Sequence, residues 1–192
     1  MVITYLESVH KQFQYYKLLG DKVLERLTVE EMHWQYHEGS NSIATIVKHL
    51  HGNMLSRWTD FLTTDGEKEW RDRDGEFKTD KAEKEKVIDL WEEGWACLFA
   101  ALPGINSNNF AQTVYIRNMG HTVVAAVNRQ LAHYAYHVGQ LVYLAKMIKG
   151  ENWESLSIPK NQSEVYNQDK FSKPRREAHF TDDLLKKNTP EK

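Results

Sequence analysis

The sequence predicts an all-α fold: a four-helix bundle with a short extended connector and an ordered polar C-terminal tail. Three observations predict it. Four long segments carry apolar residues at the i, i+3, i+4 spacing of amphipathic helices. Cap or stop residues bound most of them. A chain of 192 residues with 41% hydrophobic and 27% charged residues is globular in composition and long enough to bury one substantial core.

The first helix is expected from about Val2 to Leu27, with Leu6, Val9, Phe13, Tyr16 and Val23 on one face. Thr28-Val-Glu-Glu31 has the form of a capping box and starts a short turn or helix. A second long helix begins near Asn41-Ser42 and runs through Ile43, Val47, Leu50, Met54, Trp58 and Phe61, with Thr63-Thr-Asp-Gly66 ending it. Residues 66–79, including Trp70-Arg-Asp-Arg-Asp-Gly75, read as a charged, solvated loop with local ion pairs, from which Arg71 or Arg73 can cover a pocket mouth. The third helix opens at a capping box, Asp80-Lys-Ala-Glu83, follows Val87, Trp91, Trp95, Leu98 and Leu102, and stops at Pro103-Gly104. Gln112–Arg117 alternates like a short strand or extended connector. The fourth helix spans about Thr122 to Lys149 and ends at Gly150. Residues 1–150 form the bundle domain on this reading. Residues 151–192, polar and marked by Pro159, Pro174 and Pro190, form an extension that packs on the bundle or on a partner subunit.

Composition removes several function classes. A net charge of −2 offers no general attraction for nucleic acid or an anionic membrane. No apolar run reaches the length of a membrane span, and the N-terminal residues lack a signal-peptide pattern. The single cysteine, Cys97, precludes an intrachain disulfide, and the expected location is cytoplasmic. Nothing beside Cys97 would depress its pKa, so it reads as a buried helix residue. Six tryptophans and nine tyrosines suit a large aromatic core, with some left for pocket walls or interfaces. Neither a phosphate-binding glycine loop nor a nucleophilic serine motif is present.

The most telling chemistry lies in Arg129-Gln-Leu-Ala-His133-Tyr-Ala-Tyr-His137-Val-Gly-Gln140. Residues i and i+4 share a helix face, so both imidazoles can reach one divalent cation if a third ligand comes from another helix. With nine histidines in the chain, that spacing alone is a modest signal, and hydrogen-bonded core histidines are the plain alternative. The apolar stripe of the last helix centres on Val127, Leu131, Tyr134, Val138 and Val142, with His137 near one edge and His133 further round the same side. Lys48-His49-Leu50-His51 offers the third ligand. His49 and His51 flank the second helix's stripe on opposite sides, and periodicity places His51 nearer the core without deciding between them. A further i,i+4 pair, His33 and His37, falls in a short polar segment and reads as surface. Gly139, costly inside a helix by roughly 1 kcal/mol, hints at close helix packing.

Ser42-Ile-Ala-Thr-Ile-Val-Lys-His49-Leu50 together with His133-Tyr-Ala-Tyr-His137-Val-Gly-Gln140 resembles the paired motifs of the DinB/YfiT-like superfamily. The resemblance covers about residues 1–150. It implies His49, His133 and His137 as metal ligands, and a homodimer. Many relatives carry an arginine directly after the last ligand, where this chain has Val138.

Three neutral imidazoles would leave a cation its full charge and at least one open position, which suits zinc or nickel, with iron also accommodated. Arg129, one turn before His133, can hold a substrate carboxylate or form an ordinary salt bridge. Asn53, one turn after His49, is a candidate outer partner or a structural hydrogen bond, and Gln140 a candidate pocket residue. The resemblance implies a metal-dependent transferase that moves a low-molecular-weight thiol onto an electrophilic small molecule. The alternatives are a hydrolase or isomerase using metal-bound water, disfavoured by the lack of a glutamate beside the histidines, and a non-catalytic, stress-associated metal-binding bundle.

Overall fold

The computed structural model describes residues 2–78 and 81–187. Its elements are α1 (Val2–Arg26), α2 (Val29–Met32), α3 (Ile43–Trp58), α4 (Arg73–Glu76), α5 (Lys84–Ala101), β1 (Thr113–Ile116), β2 (Met119–Thr122), α6 (Val123–Lys149), α7 (Ser163–Phe171) and α8 (Asp182–Lys187). The long helices α1, α3, α5 and α6 form the bundle, with α1 packed on α6, α3 on α5, and α3 on α6. Among the described residues, no helix is long and apolar enough to cross a membrane.

Each long helix contributes one aromatic ring to the centre. Phe13 lies 5.9 Å from Trp58, 6.3 Å from Trp95 and 5.9 Å from Tyr134, centroid to centroid, and Trp95 lies 5.7 Å from Tyr134. All four rings are buried. Most of these contacts are edge-to-face, which places positive ring edges on negative faces. The two polar tips are satisfied inside the core: Trp58 Nε1 donates to the Tyr134 hydroxyl at 2.9 Å, which donates to Asn53 Oδ1 at 3.1 Å. This chain of bonds fixes the rotation and height of α6 against α3.

Local chemistry sets the ends. Thr28 and Glu31 complete the expected capping box of α2, and Ser42 caps α3 by accepting from Thr45 N. The second helix stops at Trp58, short of the expected Phe61, because Thr59 turns to extended backbone (φ −63°, ψ 123°) and Asp60 follows in a left-handed conformation (φ 49°). Phe61 still packs on Trp58 from the following turn. The third helix begins at Lys84, with Glu83 at the cap position and no side-chain cap bond; the expected cap residue Asp80 lies outside the described residues. The connector is a hairpin, not a single strand, with Thr113 paired to Thr122 and Ile116 to Met119. Its two-residue turn, Arg117-Asn118, has both φ values positive, and the Asp65 carboxylate accepts from both backbone amides at 2.8 Å. The strand β2, Met-Gly-His-Thr, lacks apolar alternation because neither of its faces enters the core, so it left no sequence signal.

The C-terminal extension contains two short helices that its weak periodicity did not announce. The α8 end lies against α1 through Lys11–Asp182 at 2.7 Å and Ser8–His179 at 3.0 Å, whereas α7 has no buried residue. Residues 188–192 lie outside the described residues.

Gly139 corrects another expectation. A Cβ built there meets nothing within 4 Å, so no close packing requires glycine at that position. Gly139→Ala is therefore expected to raise stability by up to about 1 kcal/mol, through lower unfolded-state entropy and better helix propensity. Chemical denaturation of the two proteins measures this, and a loss of stability would contradict the open surface seen around Gly139.

Candidate metal centre

The aromatic layer places the histidines. His133 immediately precedes Tyr134, and Asn53 lies one turn beyond His49 on α3, so the Tyr134–Asn53 bond brings His49 level with the His133–His137 edge of α6. Three ring nitrogens converge there. His49 Nε2 lies 3.3 Å from His133 Nε2, which lies 3.1 Å from His137 Nε2, and one ligand atom from each ring lies within 4.8 Å of the others. His49 is buried, while His133 and His137 are half-buried at the flank of α6.

The far sides of the rings decide what the near sides carry. His49 Nδ1 donates to Glu76 Oε2 at 2.9 Å, and His137 Nδ1 donates to Gln140 Oε1 at 2.7 Å. A neutral imidazole has one N–H, so His137 presents a bare Nε2 lone pair to the centre, as does His49 in its neutral form. Among the described residues, His133 Nδ1 is buried without a partner. Even if His133 turned its single proton inwards, it could serve only one of two lone pairs. The cluster therefore has a deficit of positive charge at its focus, which a cation would fill. A tetrahedral ion with bonds of about 2.0–2.1 Å to nitrogen sets ligand atoms about 3.3 Å apart, and an octahedral one about 2.9 Å. The two spacings to His133 fall in this range, and the third pair of ligand atoms lies within 4.8 Å, so the donor set suits a divalent metal.

Protonation works in the same direction. Burial lowers the His133 pKa to about 3, helped by the proximity of His137, His49, Arg57 and Arg71. Burial likewise lowers that of His137 to about 4, against an opposing contribution from the Gln140 bond. Both rings are neutral at physiological pH and available as ligands.

Behind His49 lies an ion-pair chain that sequence reasoning missed. The loop expected to be solvated instead folds inward through α4, with Asp72 capping it by accepting from Gly75 N at 2.9 Å. Glu76 is 6% exposed and the Arg71 side chain 2%. Arg71 grips Glu76 with Nε on Oε1 at 2.7 Å and Nη2 on Oε2 at 3.0 Å. Glu67 links Arg71 to the buried Arg57. Burial pushes the Glu76 carboxyl up, but the hydrogen bonds from His49 and Arg71 and the arginine's charge outweigh it and hold the group below the usual carboxylate range. The expectation that no glutamate stands beside the histidines is thus corrected. Its two oxygens are already engaged, which leaves it an orienting partner instead of a free base. A cavity of about 540 Å³, lined by Gly52, Trp70, Arg71, Glu76 and Leu90 among others, abuts this carboxylate and is lined by none of the three imidazoles.

Other candidates separate. His51, which periodicity placed nearer the core, points away and bonds Glu93 Oε2 at 3.0 Å. Asn53 is buried and serves Tyr134. Gln140 holds His137. Arg129 is exposed and bonds His121 Nε2 at 3.2 Å. His33 is half-buried and bonds the Ala82 carbonyl at 2.7 Å, contrary to a surface reading, while His37 is exposed. Val138 is buried in the core. Cys97 is half-buried with Sγ 3.7 Å from Thr59 Oγ1, and burial pushes its thiol up, which makes it a poor nucleophile.

The lowered histidine pKa values predict the acid response of the metal-free protein. Between pH 6.5 and about 4 the unfolded chain takes up protons on His133 and His137 that the folded cluster refuses, so stability is full above 6.5 and declines as pH falls through this window. Melting temperatures from pH 7.5 to 4.5 should drop less steeply for a His133→Asn/His137→Asn double variant than for the natural chain. Parallel slopes would contradict the assignment.

A family model described as a protein of unknown function, DUF1572, matches residues 1–162. Comparisons with curated proteins and with solved structures find no match. The family match takes in the whole bundle, the hairpin and all three histidines, and ends directly before α7. The chain belongs to the DUF1572 family.

Proposed function

We propose that this chain is a DinB/YfiT-like, divalent-metal-dependent transferase that joins a low-molecular-weight thiol to an electrophilic small molecule. His49, His133 and His137 hold the metal on this reading, zinc or nickel first and iron as a third choice. The observation that carries it is the convergence of three imidazole nitrogens that lack the protons to satisfy one another. The paired histidine motifs support the transferase assignment through their resemblance to thiol-using DinB-like proteins.

When bound, a divalent cation supplies Lewis-acid charge that favours the thiolate form of a thiol near neutral pH. The protein's own contribution is to keep its ligands ready. Burial prevents His133 and His137 from protonating, and Glu76 and Gln140 direct the Nε2 lone pairs of His49 and His137 inward. Arg129, exposed one turn before His133, supplies a cation for a carboxylate of the thiol or its acceptor. Water-based hydrolysis is less well served, because Glu76 stands at the Nδ1 side of His49, away from the Nε2 focus, and is already engaged by Arg71 and His49.

The test is elemental analysis of protein purified without metal-affinity resin, followed by an assay of thiol consumption with alkylating electrophiles. Near-stoichiometric metal is expected in the natural chain, with a large loss in His133→Ala. Chelation should abolish thiol consumption while far-UV circular dichroism stays helical, since the aromatic layer holds the bundle without the metal. Unfolding on chelation would instead make the centre structural, and metal-loaded protein inert towards every thiol tested would overturn the transferase reading.

A further inference from the structure

We infer that Glu76 is the positioning residue of the metal centre, locked by Arg71, and that Gly52 exists as a glycine to give that carboxylate its seat. The inference rests on the metal-binding reading above and deepens it.

Three observations carry it. The Glu76 carboxylate is buried, is gripped by two Arg71 nitrogens, and accepts the Nδ1–H of His49. That bond fixes the His49 tautomer and the direction of its Nε2, the single ligand supplied by α3. Gly52 lies three residues after His49, on the neighbouring part of the same helix face. A Cβ built on Gly52 would overlap Glu76 Oε1 and Cδ, so any larger residue there expels the carboxylate from its place. A glycine inside a helix costs roughly 1 kcal/mol relative to alanine, and here the clearance accounts for it. At Gly139, by contrast, no such neighbour exists.

The arrangement also explains why α4 is built inward. Its short helix carries Glu76 at its last position, and Phe77 directly after it packs on the His49 ring at 4.9 Å. Carboxylate and ring together leave His49 one orientation. His133 has no such outer partner, so the α3 side of the centre is the preorganised side.

Glu76→Gln and Gly52→Ala perturb this seat in different ways. The first keeps shape and removes charge. The second keeps every charge and displaces the carboxylate towards the adjoining cavity, and far-UV circular dichroism of both variants checks that the fold is kept. Zn²⁺ affinity is measured by competition with a chromophoric chelator, and the visible spectrum of the Co²⁺-loaded protein reports ligand geometry. Outer partners of this kind typically affect metal affinity about 10–100-fold. A loss in that range is expected for both variants, with an altered Co²⁺ spectrum, and Gly139→Ala should bind as the natural chain does. Unchanged affinity and spectrum in Glu76→Gln would overturn the role of the carboxylate. Unchanged values in Gly52→Ala would overturn the clearance. Failure of the natural chain itself to bind Zn²⁺ would refute the metal-binding reading on which both depend, a result distinguishable from either.

Discussion

The hydroxyl of Tyr134 is the pivot of this molecule. It accepts from Trp58 and donates to Asn53 in a region where an unpaired polar group would be costly, so α3 and α6 have one satisfactory register. Phe13 and Trp95 close the remaining sides of the ring. Because His133 is its sequence neighbour and His49 lies one turn from Asn53, satisfying the core hydrogen bonds also assembles the site. The centre sits at the edge of the core and inherits its precision from it.

Each imidazole has a different outer environment. His49 leans on a carboxylate held by an arginine, His137 on a neutral amide, and His133 on nothing. Carboxylate support makes the first ring the strongest donor of the three. The charges behind it alternate along buried Arg57, half-buried Glu67, Arg71 and buried Glu76, so each is compensated by a neighbour. With neutral ligands, a divalent ion at the focus would retain its charge for an anionic ligand, and this is the property the proposed thiol chemistry uses.

Much of the architecture was legible in the sequence, for reasons that also mark where legibility ended. The i,i+4 spacing of His133 and His137 survives any detail of packing because helix geometry alone imposes it. The Thr28 and Ser42 caps are likewise local. The choice of His49 over His51 was not readable from periodicity, because α4, α5 and α6 cover α3 well beyond its apolar stripe, so position relative to the stripe does not report burial. Glu76 and Arg71 were missed for a related reason: a run of alternating charges looks solvated unless its partners, here Glu67, Arg57 and His49, are known to lie opposite. Gly52 was the one local signal, a helical glycine three residues from a candidate ligand, whereas Gly139, which drew notice for the same reason, proved to be open surface.

On this reading three imidazoles present a preformed site to one cation, with His133 and His137 held unprotonated by burial. Calorimetric titration of metal-free protein with Zn²⁺ at pH 6, in two buffers of different ionisation enthalpy, tests it most directly. One ion bound per chain with fewer than two protons released is the predicted result, since burial already keeps His133 and His137 deprotonated. Absence of binding, or release of two or more protons per ion, would contradict it.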